Sequence, residues 1–398
     1  MSKPIRVLLI VENVALGRDH RLRKHAAALV AAGMTVTVIC RRDPANRENP
    51  EVRVFDYPAS DGVSKLGFIK EYAWSLTAAT VLTLRALVSG GVDVVQMSST
   101  PDIYFLLAAP LKLFRRRVIF DFKDLSPEIY EARYGRADGL MYKLLRRFER
   151  ASLRTADHVV AVNASVRSVA LHRGGLGANR VTVVGNGPWL ADLGNRPPQP
   201  ELRRGHRHLC VLVGMMGPQD GIDLALQAID HLVHTIGRTD TAFTFAGIGD
   251  YVPEGERFVA ARKLSSWVSF PGWLTRDEVY TLLSSADVGL EPNLEEFVTP
   301  VKAMEYMAFG LPFVAFDVAE TRIIGEGASE LVPRGDVVAF AERIDALLDD
   351  PARRSALGDT GKQIVHDRLA WDRQQVPYLG VVAHLAHQKF TAAGGTAV

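Results

Sequence analysis

Two cysteines, Cys40 and Cys210, are all that a chain of 398 residues contains. That scarcity excludes a disulfide framework and any cysteine-rich zinc site, and it fits a reducing compartment. Neither sign of charge is in excess. Forty-seven Lys and Arg stand against 45 Asp and Glu, a net charge of +2, so no global field marks a nucleic-acid binder and none is expected as a partner. No stretch reaches about 18 uninterrupted apolar residues, so no bilayer-spanning helix is expected. The run RVLLIV (6–11) is too short for a signal-peptide core and lacks its cleavage pattern. The expected location is the cytoplasm, with peripheral attachment at the inner face of the membrane left open. The eleven histidines form no HExxH and no Cys/His cluster, so no metal site is expected. GxSxG is absent, and both cysteines lie in apolar strand runs unsuited to a nucleophile.

What is there is ordinary in bulk and ordered in sequence. Hydrophobic residues make up 47% and charged residues 23%, the balance of a globular protein, and the length suggests two or three domains. Apolar strand runs alternate with helical periodicity from RVLLIV to RVTVVGN (180–186), which implies βαβ units on a parallel sheet. GNGPWLADLGNRPPQPELRRG (185–205), rich in Gly, Pro and Asn, breaks the pattern and reads as a linker. The alternation restarts at HLCVLVGMM (208–216) and continues through FVAF (313–316) and SELVP (329–333). The expectation is α/β: two Rossmann-like domains, 1–187 and 206–370, joined by a linker at 188–205 and facing a central cleft. Whether the last segment, 371–398, crosses back to the first domain is left open. In open parallel sheets ligands bind beyond the carboxyl ends of the strands, so the loops there should carry the chemistry.

One such stretch is TPVKAMEYMAFGLPFVAFD (299–317). Thr299 suits an N-cap, Pro300 the first helical position, and Gly310 and Pro312 the end of a helix over 300–309. Its first amides and Lys302 can meet an anion, and Glu305, a turn deeper, can accept from hydroxyls. The same stretch reads equally as a capped core helix with an internal salt bridge. VGMMGPQDGIDLAL (213–226) and FAGIGD (245–250) are strand-to-loop turns whose glycines admit close approach of a ligand, though plain turns look alike. In FDFKDLSPEIYEARYG (120–135), Lys123 can face a phosphate and Asp124 or Glu128 an acceptor hydroxyl, or Ser126 and Pro127 simply start a helix. Arg18, Arg21, Arg23 and Lys24 crowd a loop-to-helix junction that suits an anionic substrate or lipid headgroup, or a solvated helix face. The amphipathic stretches 65–91 and 142–154 suit either a membrane surface or their own sheet.

Taken together, VGMMGPQDGID, FAGIGD, VSFPGWLTRDEVYTLLSSADVGLEP and VKAMEYMAFGLPFVAFDVAETR resemble the nucleotide-sugar half of a family 4 glycosyltransferase of the GT-B fold. The first half agrees, through GRDHRLRKHAAALVAAGMTVTVIC, VDVVQMSSTPD and ADHVVAVNASV. The resemblance implies transfer of a sugar, with retention, from a nucleoside diphosphate donor to a glycan, lipid-linked or small-molecule acceptor, with no required metal and no other cofactor. It implies that Glu305 grips the donor ribose, and that Lys302 and the amides following Thr299–Pro300 hold the diphosphate. It places Gly217 and Gly249 beside the donor and Trp273 and Leu274 beside the base. Lys123 and Asp124 then belong to the catalytic group, and Arg18, Arg21 and Glu128 to the acceptor side.

Three positions depart from the family pattern. Phe297 stands where many relatives carry a Glu, and Glu296, one residue earlier, could substitute. Lys123 stands where some relatives carry His, and a lysine cannot share histidine's proton chemistry near neutrality. Gln219 and Asp220 occupy the usual Lys or Arg position of the loop 214–221, which shifts the phosphate charge onto Lys302. These departures keep alternatives open: a GT-B protein that binds a nucleotide sugar or scaffolds a partner without catalysis, or a sugar-nucleotide epimerase or pseudoglycosyltransferase. A dehydrogenase is disfavoured, because RVLLIVENVALG lacks the dinucleotide glycines.

Overall fold

The computed structural model describes residues 3–58, 65–100, 102–135, 139–194 and 196–387. Residue 195 of the expected linker and 388–398 of the expected last segment therefore lie outside the described residues. The chain divides into two compact units, one of Met1–Gly185 with Gln374–Val398 and one of Asn186–Arg373.

The first unit holds a seven-stranded sheet: β1 (Arg6–Ile10), β2 (Thr35–Arg41), β3 (Arg53–Tyr57), β4 (Val94–Ser98), β5 (Arg117–Phe122), β6 (His158–Ala161) and β7 (Val181–Val183), in the order β3-β2-β1-β4-β5-β6-β7. All its pairings are parallel. The second unit holds β8 (His208–Val213), β9 (Thr241–Ala246), β10 (Val268–Gly272), β11 (Val288–Glu291), β12 (Phe313–Phe316) and β13 (Ser329–Val332), again all parallel, in the order β10-β9-β8-β11-β12-β13. Near-continuous apolar runs such as LCVLV (209–213) form strands here because helices cover both faces, so alternate side chains are buried alike.

Both sheets reverse direction once. The chain winds outward from β1 to β3, then returns to place β4 on the other side of β1; it repeats the manoeuvre from β8 to β10 and back to β11. The two helices flanking such a reversal leave on opposite faces and open a crevice at the carboxyl ends, between β1 and β4 and between β8 and β11.

Some local expectations shift. The helix expected over 300–309 spans Val301–Phe309, with Pro300 rather than Thr299 at the cap position and no side-chain cap; the Val301 amide turns back to the Thr299 carbonyl at 2.8 Å. Leu125, not Ser126, occupies the cap position of the helix Ser126–Tyr134, and no side chain caps it there. A helix over Val252–Ala261 carries no strong advance signal, since Pro253 and Gly255 interrupt its periodicity. The Gly/Pro-rich segment after Gly185 is pinned to the second unit by Arg196 to Asp277 (2.9 Å), the Gln199 amide to Ser285 (2.8 Å) and Arg203 to Asp287 (2.6 Å). The last helix, Trp371–Leu385, starts in the second unit and from Gln374 belongs to the first. There Tyr378 stacks on His25 (4.1 Å between ring centroids) and donates to Gln96 at 2.8 Å. Among the described residues no helix is long and apolar enough to cross a membrane. The helix Lys65–Ser89 buries Ala79 and Ala86 in the core of the first unit and leaves Trp74, Val81, Leu84 and Val88 exposed.

Candidate active site

In the second unit the reversal between β8 and β11 gathers the loops that the sequence singles out. Their backbones touch. The Met216 amide donates to the Ile248 carbonyl at 3.0 Å, and the Gly247 amide to the Gly272 carbonyl at 2.9 Å. A Cβ on Gly247 would lie 1.8 Å from the Gly214 carbonyl oxygen, and one on Gly221 2.0 Å from the Pro292 carbonyl oxygen; both residues also have positive φ. Only glycine fits either place. Gly249 is confined in the same way, its Cβ position 2.2 Å from the Met216 carbonyl oxygen. Gly217 donates its amide to Asp220 Oδ2 at 2.8 Å, so Asp220 closes its own loop.

Lys302 rises into this meeting point from the first turn of the helix Val301–Phe309. A Cβ on Gly214 would sit 3.8 Å from its Cε, in ordinary contact, so the end of β8 and the lysine lie side by side. Its ammonium does not pair along its own helix; Nζ reaches Glu291 Oε1, at the end of β11, at 3.4 Å. The side chains are 14% and 1% exposed. Burial raises the Glu291 carboxyl above its ordinary range, and Lys302 pulls the other way. The positive end of the helix dipole and the Lys302 ammonium together make a positive terminus at the reversal.

The other donor-side residues surround this point unevenly. Glu305 is half-buried, and its charge helps to raise the Tyr280 hydroxyl, which burial chiefly pushes up to about 12. Tyr306 is buried; its hydroxyl donates to the Leu290 carbonyl at 3.2 Å and accepts from the Val213 amide, bridging β8 and β11. Trp273, just past β10, is 69% exposed, whereas Leu274 is half-buried against the core. Glu296 Oε2 accepts from the Ala319 amide at 2.9 Å, capping the helix Ala319–Gly325, with Arg334 3.6 Å away; Phe297 beside it is part-exposed.

In the first unit the reversal between β1 and β4 is bordered by Ser99, Lys123 and Asp19. Ser99 Oγ accepts from the amides of Lys123 and Asp124, each at 3.0 Å, which fixes the loop after β5. Lys123 Nζ pairs with Asp19 Oδ2 at 3.1 Å, and Asp19 also caps the helix His20–Ala31 through the Leu22 amide. Burial works against the Lys123 charge, but Asp19, Asp124 and Asp121 together hold the ammonium above its ordinary value. Asp124 is pushed up by burial despite Lys123.

The acceptor-side arginines part company. Arg18 is exposed, with Nε on Asp43 at 2.7 Å. Arg21 is buried: its guanidinium grips Asp121 at 2.7 Å and the Val184 carbonyl at 2.7 Å, so the fold uses its charge internally. That corrects its grouping with surface arginines; its pairing with Asp121 of β5 and Val184 just past β7 was not visible in a local window. Glu128 pairs with Arg173, which also reaches Glu149 at 3.1 Å. Glu291 ends the apolar run of DVGLEP (287–292), and its pairing with Lys302 is a tertiary contact that no local window shows. Among the described residues no group of three or more His, Cys, Asp or Glu side chains is placed to hold a metal ion.

Comparison with known proteins agrees with this architecture. The family model "Glycosyltransferase Family 4" matches residues 20–188, and "Glycosyl transferases group 1" matches 207–350. The chain is 26% identical over 222 residues to alpha-D-kanosaminyltransferase of Streptomyces kanamyceticus, a match that covers 53% of this chain and 56%, about half, of that relative's length. It is 25% identical over 410 residues to glycogen synthase of Mycobacterium tuberculosis, covering 93% and 95% of the two chains. The crystal structure of HepE from Anabaena in complex with UDP-glucose superposes with a TM-score of 0.75 at 15% identity, covering 96% of this chain and all of the other. With both Rossmann-like units matched by their respective family models, the chain belongs to the family 4 glycosyltransferases of the GT-B fold.

Proposed function

We propose that this protein transfers a sugar from a nucleoside diphosphate donor to a hydroxyl acceptor, with retention at the anomeric carbon. The observation that carries the reading is the juxtaposition of Lys302, the first turn of its helix and the Gly214 backbone at the β8/β11 reversal. As the bond from anomeric carbon to β-phosphate oxygen breaks, negative charge grows on the leaving diphosphate. A fixed ammonium and helix-terminal amides stabilise that charge more than they stabilise the ground state, which lowers the barrier. The acceptor hydroxyl attacks from the face the diphosphate leaves, and its proton passes to the departing phosphate. Glu305, a turn below Lys302, accepts from the donor ribose. A structural neighbour crystallised with UDP-glucose supports a nucleotide sugar as the donor class.

In this reading the phosphate charge is met by Lys302 and amides without a metal, and turnover should persist in EDTA. Lys302→Ala should lower kcat for transfer by about a hundredfold or more, the scale of losing one charge-stabilising donor. Wild-type rates in that variant would remove the role. A second reading is favoured by Glu296 capping a helix and Lys123 pairing with Asp19: a protein that binds nucleotide sugars without transferring them. Nucleotide binding with neither transfer nor donor hydrolysis across UDP-, GDP-, ADP- and dTDP-sugars would establish that instead.

A further inference from the structure

Glu291 is placed in a way that its pairing with Lys302 does not exhaust. Its Oε1 meets the ammonium at 3.4 Å, long for a charged pair, and its Oε2 is buried without a hydrogen-bond partner. Buried carboxylate oxygens normally find a donor. Besides Lys302, the Asn293 amide, from the loop after β11, supports the charged form of this carboxylate. Asp220, from the loop after β8, repels its charge; the Tyr306 hydroxyl, from the neighbouring helix, is committed to the Leu290 carbonyl. Burial already holds the carboxyl above its ordinary range with Lys302 beside it. The ammonium that neutralises Glu291 is the same one that faces the anion cradle, so a diphosphate there competes with Glu291 for its charge.

We propose that Glu291 is a positioning residue that exchanges an ammonium for a proton: it holds Lys302 at the β8/β11 reversal, and takes up one proton from solvent when a nucleoside diphosphate draws that ammonium away. The lysine keeps its own proton throughout, so the bound state gains the ligand and one proton. This rests on reading Lys302 as the diphosphate ligand. The sign follows from linkage. A state that binds an extra proton is favoured by acid, so nucleotide affinity should weaken as pH rises, approaching about tenfold per pH unit where a whole proton is taken up. Replacing the carboxylate with an amide, which keeps an oxygen acceptor for Lys302, should remove that dependence.

The test is calorimetric titration of the full chain with UDP, GDP, ADP and dTDP, at one pH, in two buffers that differ in ionisation enthalpy. Wild type should take up close to one proton more per nucleotide bound than Glu291→Gln; titration of the nucleotide's own phosphate is common to both and cancels. Equal proton counts would overturn the proposal. If Glu291→Gln does not fold, the infrared difference spectrum of wild type decides: nucleotide should bring up the carbonyl band of a protonated carboxyl, and its absence overturns the proposal. Lys302→Ala separates the two levels. Weakened binding in that variant alongside equal proton counts sinks the role of Glu291 alone, whereas undiminished binding, or no binding of any of the four nucleotides to wild type, sinks the reading of the cradle as well.

Discussion

At the scale of single residues, burial decides which charges are available and which hold the fold. Arg21 and Asp121 form a buried pair in which both partners satisfy hydrogen bonds, and removing either would leave an uncompensated charge. Asp102, at the carboxyl end of β4 and 3% exposed, is the opposite case: burial pushes its carboxyl up to about 7, with the charges of Asp124 and Glu128 adding to the shift. Its pKa is raised in the folded state, so its stabilising contribution is complete below the unfolded value near 4 and is lost as pH rises through about 7. His25 and His158, whose rings burial depresses to about 3 and about 4, run the other way, so wild type alone would mask the effect. Asp102→Asn should therefore gain stability relative to wild type between pH 4 and 7, by up to roughly 1.4 kcal/mol per pH unit. Urea unfolding at pH 4.5 and 7.5, followed through the first unit, checks this; a constant difference between variant and wild type would contradict it.

At the scale of elements, the strands were legible because apolar runs of four to seven residues bounded by turn residues have few other fates in a chain that alternates with helices. Helices were legible where their periodicity was clean. The helix Val252–Ala261 was not, because Pro253 in its first turn and Gly255 read as turn chemistry in isolation; tertiary packing of Val259 and Gly255 overrides that. The site divides in the same way. Lys302 could be found from its place at a helix start and the glycines from strand-end position, but Glu291 as the partner of Lys302, and Asp19 as the partner of Lys123, depend on which strands become neighbours. Loop glycines carry the sharpest prediction at this scale. Gly247→Ala forces a methyl group against the Gly214 backbone at positive φ. It should destabilise the second unit by about 1–3 kcal/mol and weaken nucleotide binding along with it. Thermal unfolding identical to wild type would show that the loops can part without cost.

At the scale of the whole molecule, two sheets of the same winding each end in one reversal, and each reversal collects charged side chains that the strands alone would not predict. The chain's last helix contributes to the first unit although it follows the second in sequence. Tyr378, fully buried on His25 and Gln96, anchors that return, and Tyr378→Ala should cost the first unit about 3–5 kcal/mol, as large-to-small changes of buried aromatics do. Hydrogen exchange at β1 and β4 would read the loss, and unchanged protection there would contradict the anchoring role. Whether the β8/β11 reversal is an anion cradle can be seen in a crystal structure of the protein grown with UDP or whichever nucleoside diphosphate binds. The β-phosphate should lie within hydrogen-bond distance of Lys302 Nζ at the start of the helix Val301–Phe309, beside Gly214. A diphosphate bound away from Lys302, with the lysine still on Glu291, would contradict it.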